Sequence, residues 1–224
     1  MVNTKISVLL ATIGKPCLAR ALEGFSKQAW GPEDELVVVS DGNHEVVDSV
    51  CLASNIKQLR RVSVAGGPYK DWGHTPRNLT MHTMRGDYIC HFDDDDLALP
   101  DMLKNMHSVL TEIPSVHMFR YWKYKTERLV WTKYGCTDMG QVSTQNILHP
   151  NLPKTFGHWG LYYGGDCQFI RETCNNFPDN VHFHDIITCV YAPPAEFNAR
   201  QIIGWYLQKQ RAAARRKRQV FPHR

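Results

Sequence analysis

The sequence lacks any apolar run close to the roughly 20 residues that a membrane-spanning helix requires. The N-terminal residues lead almost directly into a predicted strand, which does not indicate a cleavable leader. The seven cysteines are scattered and include no Cys-x-x-Cys pair, which argues against a zinc ribbon and for a reducing compartment. We therefore expect a soluble, cytoplasmic protein whose cysteines are mostly buried thiols.

Acidic side chains are missing from residue 200 to the end, where eight Lys or Arg residues occur. The first 199 residues hold the other 18 basic and all 22 acidic residues, so they carry a net charge of −4. This asymmetry is typical of a tail that contacts a polyanion, either nucleic acid or an anionic membrane surface. A merely solubilising end is the alternative. The candidate contact residues are Arg211, Arg215, Arg216, Lys217 and Arg218.

The chain also lacks a convincing glycine-rich phosphate loop after its first predicted strand, where the turn is Ile13-Gly-Lys-Pro16. Nucleotidyl transferases use clustered aspartates and Mg²⁺ together with such a loop. The lack of this loop therefore argues against a nucleotidyl transferase.

A βαβ unit is predicted at the start of the chain. Lys5–Thr12 reads as a continuous apolar strand, Cys17–Gln28 as an amphipathic helix and Glu35–Ser40 as a second strand. The chain has 224 residues, 43% of them hydrophobic, which is enough for one substantial core. We expect a domain of residues 1–195, followed by a C-terminal helix and basic tail of residues 196–224.

Four consecutive carboxylates, Asp93 to Asp96, follow the short apolar strand predicted for Tyr88–Phe92. A helix is predicted to begin directly after them, near Pro100. Adjacent like charges repel, so a folded chain tolerates them best when some bind a divalent cation or cap a helix. The carboxyl end of a strand is also where open α/β sheets usually bind ligands. A solvated acidic loop is the alternative interpretation.

Two segments together carry a resemblance to a known family: Gly73-x-x-Pro-Arg-Asn78, and the run from Arg85-Gly-Asp-Tyr through the four aspartates to Pro100. They resemble the nucleotide-sugar half of GT-A glycosyltransferases, particularly family 2. The resemblance implies an α/β GT-A fold, in which helices flank a mostly parallel sheet. It also implies an inverting, metal-dependent glycosyltransferase that uses Mn²⁺ or Mg²⁺ and a nucleotide-sugar donor, with UDP-sugars expected first.

The same resemblance assigns roles on the donor side. Thr12 and Asp41 would line the nucleotide base, and Arg77 would contact a phosphate or the base. Asp93 would contact the ribose or the water shell of the metal, and Asp95 would bind the metal. Because the run is fourfold, Asp94 is an alternative for either role, and Asp96 is assigned to helix capping or sugar hydroxyls. Taken alone, Asp41 and Arg77 also fit an ordinary turn residue and an exposed arginine.

The glycine-rich stretch Gly157–Gly165 leads into Asp166, which precedes a predicted helix. By resemblance Asp166 is the catalytic base, which takes the proton from the acceptor hydroxyl. Gly165 stands where many relatives have Glu, and a helix N-cap is the alternative role for Asp166. His184, in a predicted strand, is a candidate metal ligand by resemblance, although a lone histidine is more often structural.

The acceptor is the least determined part of this interpretation. Aromatic residues in the hairpin predicted for residues 116–134 suit an acceptor groove, although most should be core. The basic tail favours a polyanion, and a hydroxymethylated base in DNA offers a hydroxyl on a phosphate-rich scaffold. Lipid-linked, polysaccharide and protein acceptors are alternatives, as is a non-catalytic nucleic-acid-binding module that has kept the fold.

Overall fold

The computed structural model describes residues 4–131 and 133–220, with side chains as far as residue 212. The strands are β1 (Ile6–Thr12), β2 (Glu35–Asp41), β3 (Leu59–Val64), β4 (Tyr88–Asp93), β5 (Leu97–Ala98), β6 (Val116–Lys123), β7 (Arg128–Val130), β8 (Ile147–Pro150) and β9 (Val181–Tyr191). The helices are α1 (Leu18–Ser26), α2 (His44–Ala53), α3 (His74–Thr80), α4 (Met102–Val109), α5 (Gly165–Asn175) and α6 (Ala199–Val220), with short 3₁₀ turns at Met81–Thr83, Thr144–Asn146 and Pro153–Thr155.

The described strands form one sheet in the order β3-β2-β1-β4-β8-β6-β9-β5, with β7 paired to β6 at the side. The first four strands of this order are parallel to one another, as the βαβ pattern predicts. Every residue of β1 and β2 is buried, which is why both read as continuous apolar runs. Helix α1 buries Leu18, Leu22 and Phe25, the apolar positions that predicted it.

The register of the parallel strands brings the predicted donor-side residues to one edge of the sheet. Ala11 of β1 pairs with Asp93 of β4, and Thr12 pairs with Ser40 of β2, the residue before Asp41. Strands that run parallel end at the same edge, so three separate segments deliver polar side chains there.

The part of the sheet formed by β6 to β9 differs in detail from the prediction. The expected hairpin exists as β6 and β7, which pair antiparallel, but β7 ends at Val130 rather than near residue 134. Strand β8 was not predicted from the sequence, and it inserts between β4 and β6 with an antiparallel register to both. Strand β9, in which His184 was predicted to lie, runs from Val181 to Tyr191.

Helix α6 packs on the far side of β5 and β9. Its buried Ile202 joins a small apolar cluster with Leu97, Leu99 and Val190, which is separate from the main core. Arg211 is exposed, whereas the side chains of Arg215, Arg216, Lys217 and Arg218 lie outside the described residues. Within the described part of the chain, no helix combines the length and apolarity needed to cross a bilayer.

Candidate active site

A cavity of about 490 Å³ opens at the carboxyl ends of β1, β2 and β4. Its lining brings together most of the residues predicted from the sequence, from Asp41 at one end to Asp166 at the other. The predicted residues that line it are Thr12, Asp41, Asp93, Asp94, Asp95 and Asp166. Arg77 and His184 are not among the residues that line it.

Asp94 and Asp95 face the cavity in different electrostatic settings. Asp94 is buried and accepts hydrogen bonds from the Thr12 hydroxyl at 2.7 Å and from Lys15 Nζ at 3.2 Å. The Asp95 side chain is 44% exposed, with Lys15 Nζ at 3.8 Å. Burial raises the pKa of both carboxyl groups, and the neighbouring Asp93 raises that of Asp95 further. Asp95 is therefore the most accessible carboxylate of the run.

Asp96 is fully buried and does not line the cavity. One carboxyl oxygen accepts the backbone N–H of Ala192 at 2.8 Å, and Oδ2 has no partner. Burial, followed by the charges of Asp93 and Asp95, raises its pKa well above the usual range. Asp96 ties the end of β9 to the carboxylate run, so its predicted contact with sugar hydroxyls or a helix end is wrong.

Arg77 lies behind the cavity wall rather than in it. Its guanidinium is completely buried, donates to Asp93 Oδ1 at 2.6 Å and to the Phe92 carbonyl at 2.8 Å, and stacks on Trp159 at 5.0 Å. It also donates to the Trp72 and Gly73 carbonyl oxygens. These partners occupy both terminal nitrogens of the guanidinium, and the buried Nε has no partner. Because the whole guanidinium is buried and does not line the cavity, the prediction of a direct donor contact is corrected. Arg77 orients Asp93 instead.

Asp41, which the resemblance assigns to the nucleotide base, shares the cavity lining with a residue that the sequence interpretation missed, Asp71. Asp41 accepts the backbone N–H of Tyr69, and burial raises the pKa of its carboxyl group. Asp71 accepts the N–H groups of His74 and Thr75 at 3.1 and 3.0 Å. It therefore caps the first turn of helix α3, a role for which Asp is a preferred residue type. Helix α3 ends at Thr80, and the 3₁₀ turn Met81–Thr83 follows it directly.

Asp166 lies in the first turn of α5, where the preceding Gly164 adopts a left-handed φ of +94°. The turn is held against α3 because His74 Nδ1 lies 2.6 Å from the Gly160 carbonyl oxygen. A Cβ on Gly165 would collide with that same carbonyl, which explains why glycine occupies this position here. Asp166 Oδ1 accepts the N–H of Cys167 at 2.8 Å. The second carboxylate oxygen leaves Asp166 with capacity to accept a proton from a bound hydroxyl.

His184 lies away from the cavity, in the middle of β9. Its Nε2 is 3.0 Å from Nδ1 of His117, and its ring stacks on Phe119. Strand β9 comes close to the carboxylate run at Val190, which pairs with Leu97 directly after the run. His184 precedes Val190 by six residues, which corresponds to roughly 20 Å along the strand. The structure therefore does not bring His184 to the predicted metal ligands, and Tyr191 lines the cavity instead.

Several cavity residues were not identified from the sequence. Lys15 follows β1 in a Gly-Lys-Pro turn, and this position next to a buried strand is a usable signal. Tyr121, Lys123 and Tyr191 come from the ends of β6 and β9, whose pairing in the sheet no local pattern specified.

The residues present fit a hard divalent cation that is only partly held by protein. Among the described residues, no group of three His, Cys, Asp or Glu side chains is arranged to hold a metal alone. Mg²⁺ and Mn²⁺ take oxygen ligands, and Mg²⁺ is commonly bound by one or two carboxylates together with substrate phosphates. The exposed carboxylate of Asp95, with Asp93 and Asp94 beside it, offers such a partial donor set.

The sequence matches the model described as Glycosyl transferase family 2 over residues 7–173, about three quarters of the chain. The chain belongs to this family. The prediction made from the carboxylate run and its flanking motifs is thereby confirmed. No curated protein sequence matches this family 2 chain.

Solved structures confirm the GT-A fold of this family 2 chain. S. aureus TarS 1-349 in complex with UDP-GlcNAc is 16% identical with a TM-score of 0.68, and the match covers 88% of this chain and 60% of TarS 1-349. Mannosyltransferase PcManGT from Pyrobaculum calidifontis, in complex with GDP-Man and Mn²⁺, is 14% identical with a TM-score of 0.63, and the match covers 86% of this chain and 58% of PcManGT. Glucosyl-3-phosphoglycerate synthase from Mycobacterium tuberculosis is 15% identical with a TM-score of 0.62, and the match covers 85% of this chain and 73% of the synthase. The chain thus spans about 60% of the length of the TarS fragment.

Proposed function

We propose that the chain transfers a sugar from a nucleotide-sugar donor to a hydroxyl group, with a divalent metal and with inversion at the anomeric carbon. The observation that carries this proposal is the meeting of Asp95 and Asp166 in one cavity at the carboxyl ends of the parallel strands. Two acidic groups from distant segments supply the two requirements of the reaction, a site for the leaving diphosphate and a base for the acceptor.

On the donor side, Asp41 would accept from the nucleotide base, while Asp93 and Asp95 face the diphosphate. Mn²⁺ or Mg²⁺, when bound, neutralises charge on the leaving nucleoside diphosphate. The Arg77 guanidinium fixes Asp93, and the Thr12 hydroxyl and Lys15 fix Asp94. The related structures support a nucleotide donor, because TarS is seen with UDP-GlcNAc and PcManGT with GDP-Man and Mn²⁺. UDP-sugars are the donors to test first.

On the acceptor side, Asp166 would take the proton from the acceptor hydroxyl as that oxygen attacks the anomeric carbon from the face opposite the leaving phosphate. The new bond forms as the bond to the diphosphate oxygen breaks, so the configuration inverts. A positioned general base contributes about 10²–10⁴-fold to a rate. We therefore expect the Asp166→Asn variant to lose transfer by that factor while it keeps the shape of the cavity.

We propose a hydroxymethylated base in DNA as the acceptor. Lys123 lines the cavity at the end of β6, and four residues later Glu127 pairs with Lys209 of α6 at 2.6 Å. The basic helix therefore runs beside the hairpin that borders the cavity, where it would meet phosphates of a bound strand. Lipid-linked, polysaccharide and protein acceptors are the alternatives that an acceptor panel would reveal.

The test is nucleoside diphosphate release from UDP-, GDP- and dTDP-sugars with Mn²⁺, with and without DNA that contains hydroxymethylcytosine or hydroxymethyluracil. We expect release that rises with this DNA and is lost in Asp166→Asn. Arg171→Gln, an exposed change on the same helix, is the control and should retain activity. If no donor is bound or turned over, a non-catalytic nucleic-acid-binding module becomes the better account.

A further inference from the structure

Two large aromatic side chains stand exposed over the cavity. Trp72, before α3, is 60% exposed and Tyr163, before α5, is 76% exposed. Both line the cavity that contains Asp166, and their ring centroids lie 6.0 Å apart at an interplanar angle of 71°. Because the rings meet edge to face, broad ring surface is left free for another partner.

The backbone around Trp72 holds its ring in place. Trp72 adopts a left-handed φ of +60°, which is unusual for a bulky residue. Its carbonyl oxygen accepts from the buried Arg77 guanidinium, and the preceding Asp71 is fixed by its hydrogen bonds to α3. Unfavourable backbone conformations that are held by their surroundings concentrate at functional sites. Trp72 is thus kept outward by the same arginine that orients Asp93.

The cavity around this aromatic pair carries both carboxylates and lysines, and the lysines suit a flat ligand that bears phosphate. Tyr163 lies three residues before Asp166 and both line the cavity, so a ring placed on the pair would share the cavity with the proposed base. Lys70 and Lys123 also line the cavity, and the basic helix α6 adjoins its bordering hairpin through Lys209. Aromatic platforms combined with basic side chains are the general means by which proteins hold unpaired bases.

We propose that Trp72 and Tyr163 form a stacking site for the acceptor base, and that this base enters the cavity out of its helical stack. The inference rests on the proposed function and specifies it further. A base inside a duplex has both faces covered by its neighbours, whereas this site requires a free face. Single-stranded DNA is therefore the better substrate, because it avoids the cost of unstacking and unpairing.

The test compares single-stranded and duplex oligonucleotides of one sequence that carry one hydroxymethylated base. We expect a lower acceptor KM for the single strand.

Trp72→Ala should raise this KM about tenfold, which corresponds to the loss of one base–aromatic stack. Trp72→Phe should remain within about threefold of the wild type, because a ring is kept. Tyr163→Ala should also raise KM, and Tyr162→Ala is the matched control, since Tyr162 is exposed but does not line the cavity.

A binding measurement keeps the proposal independent of turnover. The single strand, added without donor, should quench tryptophan emission in the wild type and leave the emission of Trp72→Phe nearly unchanged. UDP affinity in the presence of Mn²⁺ should be the same in Trp72→Ala as in the wild type. The proposal is overturned if Trp72→Ala leaves oligonucleotide binding unchanged, if UDP affinity falls with it, or if only an oligosaccharide quenches Trp72. Loss of UDP binding by the wild type would instead contradict the proposed function.

Discussion

The four adjacent aspartates differ because their surroundings differ, although their chemistry is the same. Asp93 pairs with buried Arg77, Asp94 pairs with Lys15, Asp95 is largely open to the cavity, and Asp96 is enclosed. The sequence shows the run, and the resemblance predicts its use but leaves Asp94 as an alternative for the roles of both Asp93 and Asp95. The assignment needs tertiary partners, since identical neighbouring residues carry no local signal that separates them.

Lys15 places a positive charge where the proposed metal would bind. Its Nζ lies 3.2 Å from Asp94 and 3.8 Å from Asp95. Although burial alone would lower the pKa of this lysine, the two carboxylates raise it, so Lys15 stays charged at neutral pH. We predict that Lys15→Gln binds Mn²⁺ about three- to tenfold more tightly, because the competing cation is removed.

Calorimetric titration of Mn²⁺ without donor measures this effect. Lys70→Gln removes an exposed lysine that lines the same cavity and serves as the control. An unchanged or weaker Mn²⁺ affinity in Lys15→Gln would show that this lysine does not compete for the site.

At the scale of elements, helix α6 is held to the body by a small apolar cluster and by ring contacts of Trp205 and Tyr206 with β6 and the residue after it. Ile202 is 1% exposed in the small cluster with Val190 and Leu97, whereas Leu207 is 46% exposed. We predict that Ile202→Ala lowers the free energy of unfolding by about 2–5 kcal/mol, because it leaves a cavity in this cluster. Leu207→Ala should cost less than about 1 kcal/mol. Urea denaturation monitored by circular dichroism compares the two, and equal losses would mean that the helix is not docked as described.

The elements that were predicted well are those with a strong local pattern. The apolar runs of β1 and β2, the amphipathic α1 and the short strand before the aspartates all appear in the structure. Strand β8 was missed because four residues are too few to show a period, and its neighbours in the sheet come from distant segments. The position of His184 relative to the cavity could not be predicted for the same reason. It depends on which part of the eleven-residue strand β9 reaches the cavity, and no local pattern specifies that.

At the scale of the whole molecule, charge separates an acidic body from a basic C-terminal end. If the basic end binds DNA phosphates, exchange of Arg215, Arg216, Lys217 and Arg218 for Gln should weaken oligonucleotide binding at low salt. The slope of log affinity against log salt should become less steep by up to about 3 for a single strand. Fluorescence anisotropy at several salt concentrations measures this slope. An unchanged slope would assign the polyanion contact to another surface.

In the proposed function, one cavity has a donor side at Asp95 and an acceptor side at Asp166. Calorimetric titration of UDP in the presence of Mn²⁺ can separate the two sides when the wild type, Asp95→Asn and Asp166→Asn are compared. We predict that the wild type and Asp166→Asn bind UDP alike, that Asp95→Asn binds at least tenfold more weakly, and that omission of Mn²⁺ abolishes the difference. Equal UDP binding by all three proteins with Mn²⁺ present would contradict it.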